Sequence, residues 1–333
     1  MTKQKITVIA EIGSVHDGSY GNAIKLIDLA KDCGSDAVKF QTHLAEEETL
    51  KNAPSPKYFK SENRYEYFKR TSFSINQIID LKKHANKIGL KFISSPFSVK
   101  AAKILRKINI DGIKVASGEV TNLPMLEEIA NQNTNIYLSS GMSNWSEIDT
   151  AVNLLKRKKN KITVFQCTSK YPTFPKDVGL NIIKEMKNRY KLPVGFSDHT
   201  LGTAASIAAV VCGATVIEKH LTFSRNMYGS DAKNSLEPSE FREMIKGIRE
   251  VSTMISINID KNNLRPYTEM KNIFQKSIVA SKKINKNTVI TKSLLSYKKP
   301  GNGISSALYK KLIGKKIKKT VQKDYIFKES DFI

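Results

Sequence analysis

Eight apolar runs of strand length recur along the first 221 residues, and the stretches between them carry helical periodicity. They are ITVIAEIG (6–13), DAVKFQT (36–42), LKFISSP (90–96), GIKVAS (112–117), NIYLSSG (135–141), ITVFQCT (162–168), PVGFSDH (193–199) and TVIEKHL (215–221). Intervening sequences such as NAIKLIDLAKDCG and INQIIDLKKHANKIG put apolar residues on one helical face and end in glycine, the residue favoured just past a helix. Eight β-then-α units in about 250 residues match a (β/α)8 barrel in number and length. A doubly wound open sheet is the alternative, but no glycine-rich dinucleotide fingerprint follows the first run.

The eighth run finishes on Glu218, Lys219 and His220, although burying an unpaired charge is costly. The other runs finish in the same manner. The first carries Glu11, the second Lys39 and Gln41, the third Ser95, and the fourth Lys114 with Ser117 and Glu119 beyond it. Ser139 follows on the fifth, Thr168 and Tyr171 on the sixth, Ser197 and His199 on the seventh. One polar strand end is a solvated edge, whereas eight around one rim form a site, because the C-terminal strand ends of a barrel carry its catalytic groups. His199 and His220 close adjacent strands and can share one divalent cation, with positions left open for water or substrate. Mn²⁺ or Mg²⁺ suits that donor set; Zn²⁺ and a two-His-one-carboxylate iron site are alternatives. Lys39 and Lys114, with Ser95, Ser117, Ser139 and Ser197, form a cationic, hydroxyl-rich basin suited to a ligand carrying phosphate and carboxylate. Lys114 alone would also serve a Schiff-base aldolase.

Composition narrows the partners. At 333 residues and 40% hydrophobic content the chain can bury a large core. The polar start of MTKQKITVIAEIG is unlike a secretory leader, and no apolar run is long enough to span a bilayer. Three cysteines, Cys33, Cys167 and Cys212, lack metal-type spacing and suit reduced thiols in a cytoplasmic protein. The net charge of +24 raises the alternative of a basic nucleic-acid-binding protein. Yet 46 of the 55 basic residues are lysine, which lacks the planar fork used to read bases. From Arg265 onward 17 basic and 4 acidic residues give +13, with no nucleic-acid-binding motif among them. No specific nucleic-acid partner and no membrane are therefore expected.

The motifs AEIGSVHDG, AVKFQTH, ISSPFS, KVASGE, LSSGM, QCTSKYPT, GFSDHT and IEKHLTF followed by GSD resemble, in that order, those of the sialic acid synthase family. The resemblance covers essentially the whole chain. It implies a barrel over 1–256, a linker over 257–276 and a small, mostly-β antifreeze-like (SAF, β-clip) capping domain over 277–333. It also implies a transferase that condenses phosphoenolpyruvate with an N-acetylated hexosamine, either N-acetylmannosamine or a 2,4-diacetamido-trideoxyhexose. The product is then a nonulosonic acid. Carried over by position, the metal ligands fall on His199 and His220, with Glu218 holding a metal-bound water. Phosphoenolpyruvate contacts fall on Lys39, Ser95, Lys114, Ser117, Ser139 and Ser197, and sugar contacts on Gln41, Glu119, Tyr171 and Asp231. Glu11 matches the other active-site carboxylate, and Glu11, Glu119 and Lys114 are the expected catalytic groups. A domain-swapped homodimer is implied, its capping domain bringing Lys299 to the partner's site. Four positions depart from the family pattern: Val15 and Ser169 stand where asparagine is usual and Lys299 where arginine is usual, and a loop asparagine has at best Asn63 as its counterpart.

Overall fold

The computed structural model describes residues 5–55, 62–158, 160–229 and 231–333; Ser230 of the GSD motif lies outside the described residues. The chain divides after Ile257 into two compact units. Strands of the first unit are β1 (Thr7–Gly13), β2 (Ala37–Thr42), β3 (Lys91–Pro96), β4 (Gly112–Val115), β5 (Asn135–Leu138), β6 (Lys161–Cys167), β7 (Val194–Asp198) and β8 (Val216–His220). Each pairs in parallel with the next, and β8 returns to β1 to close the barrel. Around it run α1 (Tyr20–Asp32), α2 (Ala45–Glu48), α3 (Arg64–Thr71), α4 (Ile75–Lys87), α5 (Val99–Lys107), α6 (Leu123–Ala130), α7 (Trp145–Lys156), α8 (Asn181–Tyr190), α9 (Ala204–Val211) and α10 (Pro238–Ser256). The (β/α)8 barrel expected from the eight apolar runs is present. β4 and β5 stop short of their expected ends because Ser117–Glu119 winds into a 3₁₀ turn, and Gly141 N then donates to Ser117 Oγ.

Strand periodicity positions the site. One parity of side chains, including Val8, Ala10, Val38, Phe92, Ile113, Val164 and Ile217, faces the helices and forms the main core. Full burial of such a side chain is worth about 1.5–3 kcal/mol. The other parity fills the barrel. Its floor is an apolar cluster of Ile9, Ala37, Ile93, Tyr137, Phe165 and Val216. Phe165 fits there because its neighbour on β7 is Gly195, where any Cβ would run into the Phe165 ring. Two residues along the strands from that floor the inward side chains become Glu11, Lys39, Ser95, Ser139, Cys167 and Glu218. The loops above are pinned by helix caps: Ser98 accepts from Ala101 N, Asn122 from Met125 N, and Ser74/Gln77 and Asn144/Glu147 close reciprocal boxes. A cap of this kind is worth about 0.5–2 kcal/mol.

The second unit has its own core of Ile278, Ala280, Ile284, Ile290, Leu295, Ile304, Leu312, Ile317, Val321, Phe327 and Phe332. Strand β9 (Ser277–Ala280) pairs antiparallel with β10 (Leu295–Lys298). Elsewhere the expected mostly-β character shows as single antiparallel bridges, such as Val289↔Lys316 and Ile284↔Val321. The stretch read as a linker carries a short helix, α11 (Thr268–Phe274). Among the described residues no helix is long and apolar enough to cross a membrane.

Candidate active site

A cavity of about 550 Å³ opens at the C-terminal ends of the barrel strands. Every site residue expected from the sequence lines it except Lys299, which belongs to the second unit and lies with its Nζ 4.9 Å above the Phe274 ring. At its base two lysines meet two carboxylates. Lys39 Nζ lies 2.6 Å from Glu11 Oε2, 3.4 Å from Ser95 Oγ and 3.9 Å from Glu218 Oε1. Lys114 Nζ donates to both oxygens of Glu218, at 2.8 and 2.9 Å, and stands 4.1 Å over the Phe165 ring. Ser197 Oγ gives the Glu218 carboxylate its third hydrogen bond, to Oε1 at 2.8 Å. The basin expected to be cationic is thus charge-balanced, because β1 and β8 deliver carboxylates at the same level as the lysines. Both oxygens of Glu218, the carboxylate expected to hold a metal-bound water, accept from Lys114.

Burial and pairing divide these four groups. Desolvation lifts the Glu11 carboxyl above its ordinary range against the pull of Lys39. On Glu218 the same burial is overridden by Lys114 and Lys39, so its carboxyl stays ionised well below that range. Burial would lower both lysines. The Glu11 and Glu218 charges reverse this for Lys39, whereas Lys114 ends lowered.

His199, just beyond β7, and His220, the last residue of β8, stand with ring centroids 5.7 Å apart. His199 Nδ1 is 3.0 Å from the Thr168 carbonyl oxygen, which only accepts; Nδ1 therefore carries a hydrogen and directs Nε2 toward Tyr171, whose hydroxyl is 3.4 Å away. His220 Nδ1 is buried with no hydrogen-bond partner among the described residues, and desolvation lowers the pKa of its ring. One imidazole oriented through its far nitrogen, and a second held neutral with an orphaned nitrogen, suit a divalent cation. Among the described residues no group of three or more His, Cys, Asp or Glu side chains stands in ligating geometry. A cation held by this pair would take its remaining ligands from substrate and water. Between the two histidines Lys219 points outward to the helices, where it pairs with Asp198 at 3.1 Å, both side chains fully buried, and donates to the Thr200 carbonyl.

The upper walls combine expected and unexpected residues. Glu119 is held by Asn122 Nδ2 at 2.8 Å, and burial raises its carboxyl pKa. Asp231 accepts from both Ser14 N and Ser14 Oγ at 2.9 Å; an added Cβ on Gly13, whose φ is +52°, would run into its carboxylate. Ser117 and Ser139 hydroxyls lie 3.0 Å apart. Sequence reasoning missed His43, Arg64, Phe68, Phe97, Met142, Cys167 and Asn234, all of which line the cavity. Counting by two from Lys39 or from Phe165 finds His43 and Cys167; nothing local marks Arg64, which α3 brings in from the long β2–β3 connection. Of the departing positions, Val15 is fully buried core, Ser169 lines the cavity, and Asn63 caps α3 on Tyr65 N.

A family model described as the NeuB family matches residues 26–260. The chain belongs to the NeuB family. A SAF domain model matches residues 275–333, so the NeuB-family barrel and the second unit are each matched by a known family. Among NeuB-family relatives, the N,N'-diacetyllegionaminic acid synthase of Campylobacter jejuni is 37% identical over 98% of this chain and 100% of that protein. The human N-acetylneuraminate-9-phosphate synthase is 32% identical over 95% of this chain and 90% of its own length. The N-acetylneuraminic acid (sialic acid) synthetase of Leptospira borgpetersenii, solved with citrate, superposes with a TM-score of 0.71 at 29% identity, over 81% of this chain and 92% of that one. The family resemblance read from the motifs holds, and this NeuB-family chain is an enzyme of the synthase type.

Proposed function

We infer that the protein joins C3 of phosphoenolpyruvate to the aldehyde carbon of an open-chain acetamido hexose, releasing phosphate and a nonulosonic acid. The observation that carries this reading is one cavity holding two buried lysine–carboxylate pairs below two adjacent imidazoles, in a NeuB-family barrel. Lys39, Lys114 and the hydroxyls of Ser95, Ser117, Ser139 and Ser197 bind phosphate and carboxylate; Gln41, Glu119, Tyr171 and Asp231 receive the sugar. His199 and His220 would hold a divalent cation, Mn²⁺ before Mg²⁺, which when bound supplies Lewis-acid polarisation of the aldehyde.

As the C–C bond forms, the aldehyde oxygen takes a proton and C2 of the former enol becomes oxocarbenium-like. Water adds to C2 and loses a proton, and the tetrahedral adduct breaks its C–O bond to expel phosphate and leave the 2-keto acid. Glu11 and Glu119 both have raised pKa values through burial, so each can carry a proton at a pH where an exposed carboxyl cannot. They divide the stabilisation of C2 and the handling of the water proton. Lys114 has the lowered pKa that a Schiff-base aldolase would use, but Glu218 grips its Nζ with both oxygens.

A dimer in which the second unit of one chain, with Lys299, serves its partner's cavity completes the proposal. Exposed apolar side chains at Ile257, Ile259, Met270, Ile273 and Phe274 support it, being surface that a lone chain leaves wet. The deciding experiment measures phosphate release from phosphoenolpyruvate with Mn²⁺ across a panel of acetamido hexoses. Release with one or more sugars, and none without sugar, is expected. No release with any of them, or a borohydride-trapped adduct on Lys114, overturns the reading.

A further inference from the structure

The period-two rhythm of β2 continues past its end, so Lys39, Gln41 and His43 all turn toward the cavity. His43 is held with unusual completeness. Its ring lies between two phenyl rings, with centroids 3.8 Å from Phe68 at 10° and 4.2 Å from Phe97 at 14°. Nδ1 is 2.8 and 3.1 Å from the two carboxylate oxygens of Glu48, one of which also accepts from Leu44 N at 3.3 Å. Nε2 is 2.9 Å from Oε1 of Gln41, and Gln41 Nε2 donates to Glu11 Oε1 at 3.0 Å. A chain of contacts therefore runs from Glu48 through His43 and Gln41 to Glu11, whose second oxygen meets Lys39.

The direction of this chain matters. The Glu48 carboxylate only accepts, so Nδ1 of His43 carries the hydrogen between them, and a hydrogen on Nε2 makes its contact with Oε1 of Gln41 a donated bond. A side-chain amide is nearly the same shape either way round. Released from His43, Gln41 can turn its carbonyl toward Glu11 and replace a donated hydrogen bond by repulsion between two oxygens. The stacked ring cannot tilt away, so the orientation is set before substrate arrives, which is where preorganised polar groups gain their effect.

We propose that His43 is a positioning residue that fixes the Gln41 amide with its NH₂ on Glu11, and thereby sets Gln41 for the sugar and Glu11 for the reacting carbon. The proposal rests on the condensation reading above. His43→Ala in the full-length protein should lower kcat/KM for the sugar by roughly 10- to 100-fold, as misplaced catalytic groups do, with phosphoenolpyruvate affinity by calorimetry little changed. The discriminating measurement is the cycle with Gln41→Ala. If His43 acts through Gln41, its removal costs nothing further in the Gln41→Ala background, whereas independent losses that multiply would overturn the proposal, as would normal kinetics in His43→Ala. Should His43→Ala fail to fold, Glu48→Gln carries the same cycle, since it loosens the ring from the other side.

A readout free of turnover uses ¹⁵N-histidine NMR, with the His43 signals assigned by their loss in His43→Gln. Hydrogens on both ring nitrogens are expected, with Nε2 alone losing its protection from exchange in Gln41→Ala. A ring that carries no hydrogen on Nε2 overturns the proposal, because Gln41 would then face the other way. If wild-type protein releases phosphate with no sugar, the condensation reading fails, and the NMR result still decides whether His43 holds Gln41.

Discussion

Glu119 stands where the Ser117–Glu119 turn meets the cavity, held by Asn122 and kept above the usual carboxyl range chiefly by burial. Glu119→Gln keeps its size and its hydrogen-bond acceptor but removes the charge. If the group acts in the transition state, kcat should fall by roughly 10²–10⁴-fold while phosphoenolpyruvate binding barely changes. A loss confined to KM would mark it as a simple contact. Stability should move the other way. A carboxyl whose folded pKa is raised favours folding in its protonated form; that share is present below the unfolded value of 4.5 and is lost as pH rises through the raised value. Glu119→Gln should therefore melt slightly above wild type at pH 7 and show no such gain at pH 4. Metal removal is tested at the same scale: chelation should abolish turnover and Mn²⁺ restore it, and His220→Ala should stay folded but inactive; full activity in metal-free protein would exclude the cation. Much at this scale was legible in the sequence, because a period of two fixes which strand residues face inward. Pairings were not. That Glu218 would close on Lys114, four strands away in the chain, depends on the barrel being shut, which no local pattern states.

Strands β7 and β8 show how an element can hide a charge that a sequence cannot place. Glu218 and His220 face the cavity, while Lys219 faces the helices and is paired with Asp198 of the adjacent strand. The run of three ionisable residues is thus one site carboxylate, one site imidazole and one structural cation. Identifying Asp198 as its partner requires the register of β7 on β8, and that register follows from the barrel as a whole. The pair is asymmetric. Asp198 also accepts from Thr200 N at 2.8 Å and Ser206 Oγ at 2.6 Å, whereas among the described residues Lys219 has Asp198 as its one paired carboxylate. Asp198→Ala should therefore cost about 3–5 kcal/mol by leaving a buried ammonium unpaired. Lys219→Met should cost clearly less, because Asp198 retains two donors. Denaturant titration of both variants checks the order, and equal losses would mean the pair is not what secures these strands. Since the contacts lie beside His199 and His220, Asp198→Ala should also weaken Mn²⁺ binding measured by calorimetry.

The whole molecule joins two units with separate cores, and only one of them contains the cavity. The motif order made the barrel and its companion readable together. The second unit's inner construction was less so, because its strands are so short that isolated bridges replace ladders and period two has little length over which to show. If the cavity binds phosphate and carboxylate as proposed, its anionic substrate would be a neighbour for the second unit's lysine excess. If each second unit serves the other chain's cavity, Lys299 acts on its partner's substrate. An exposed charge that becomes partly desolvated there contributes about 1–3 kcal/mol, so Lys299→Ala should raise the sugar KM and leave Mn²⁺ affinity unchanged. Mixing tests the exchange itself. In a heterodimer of His220→Ala with Lys299→Ala, one cavity would combine both lesions, while the other would combine an intact His220 with the partner's intact Lys299. Activity above the mean of the two parents, measured at limiting sugar after subunit exchange is shown by mass, is the expected result. If exchange is complete and activity stays at that mean, each chain completes its own cavity and the shared arrangement is wrong.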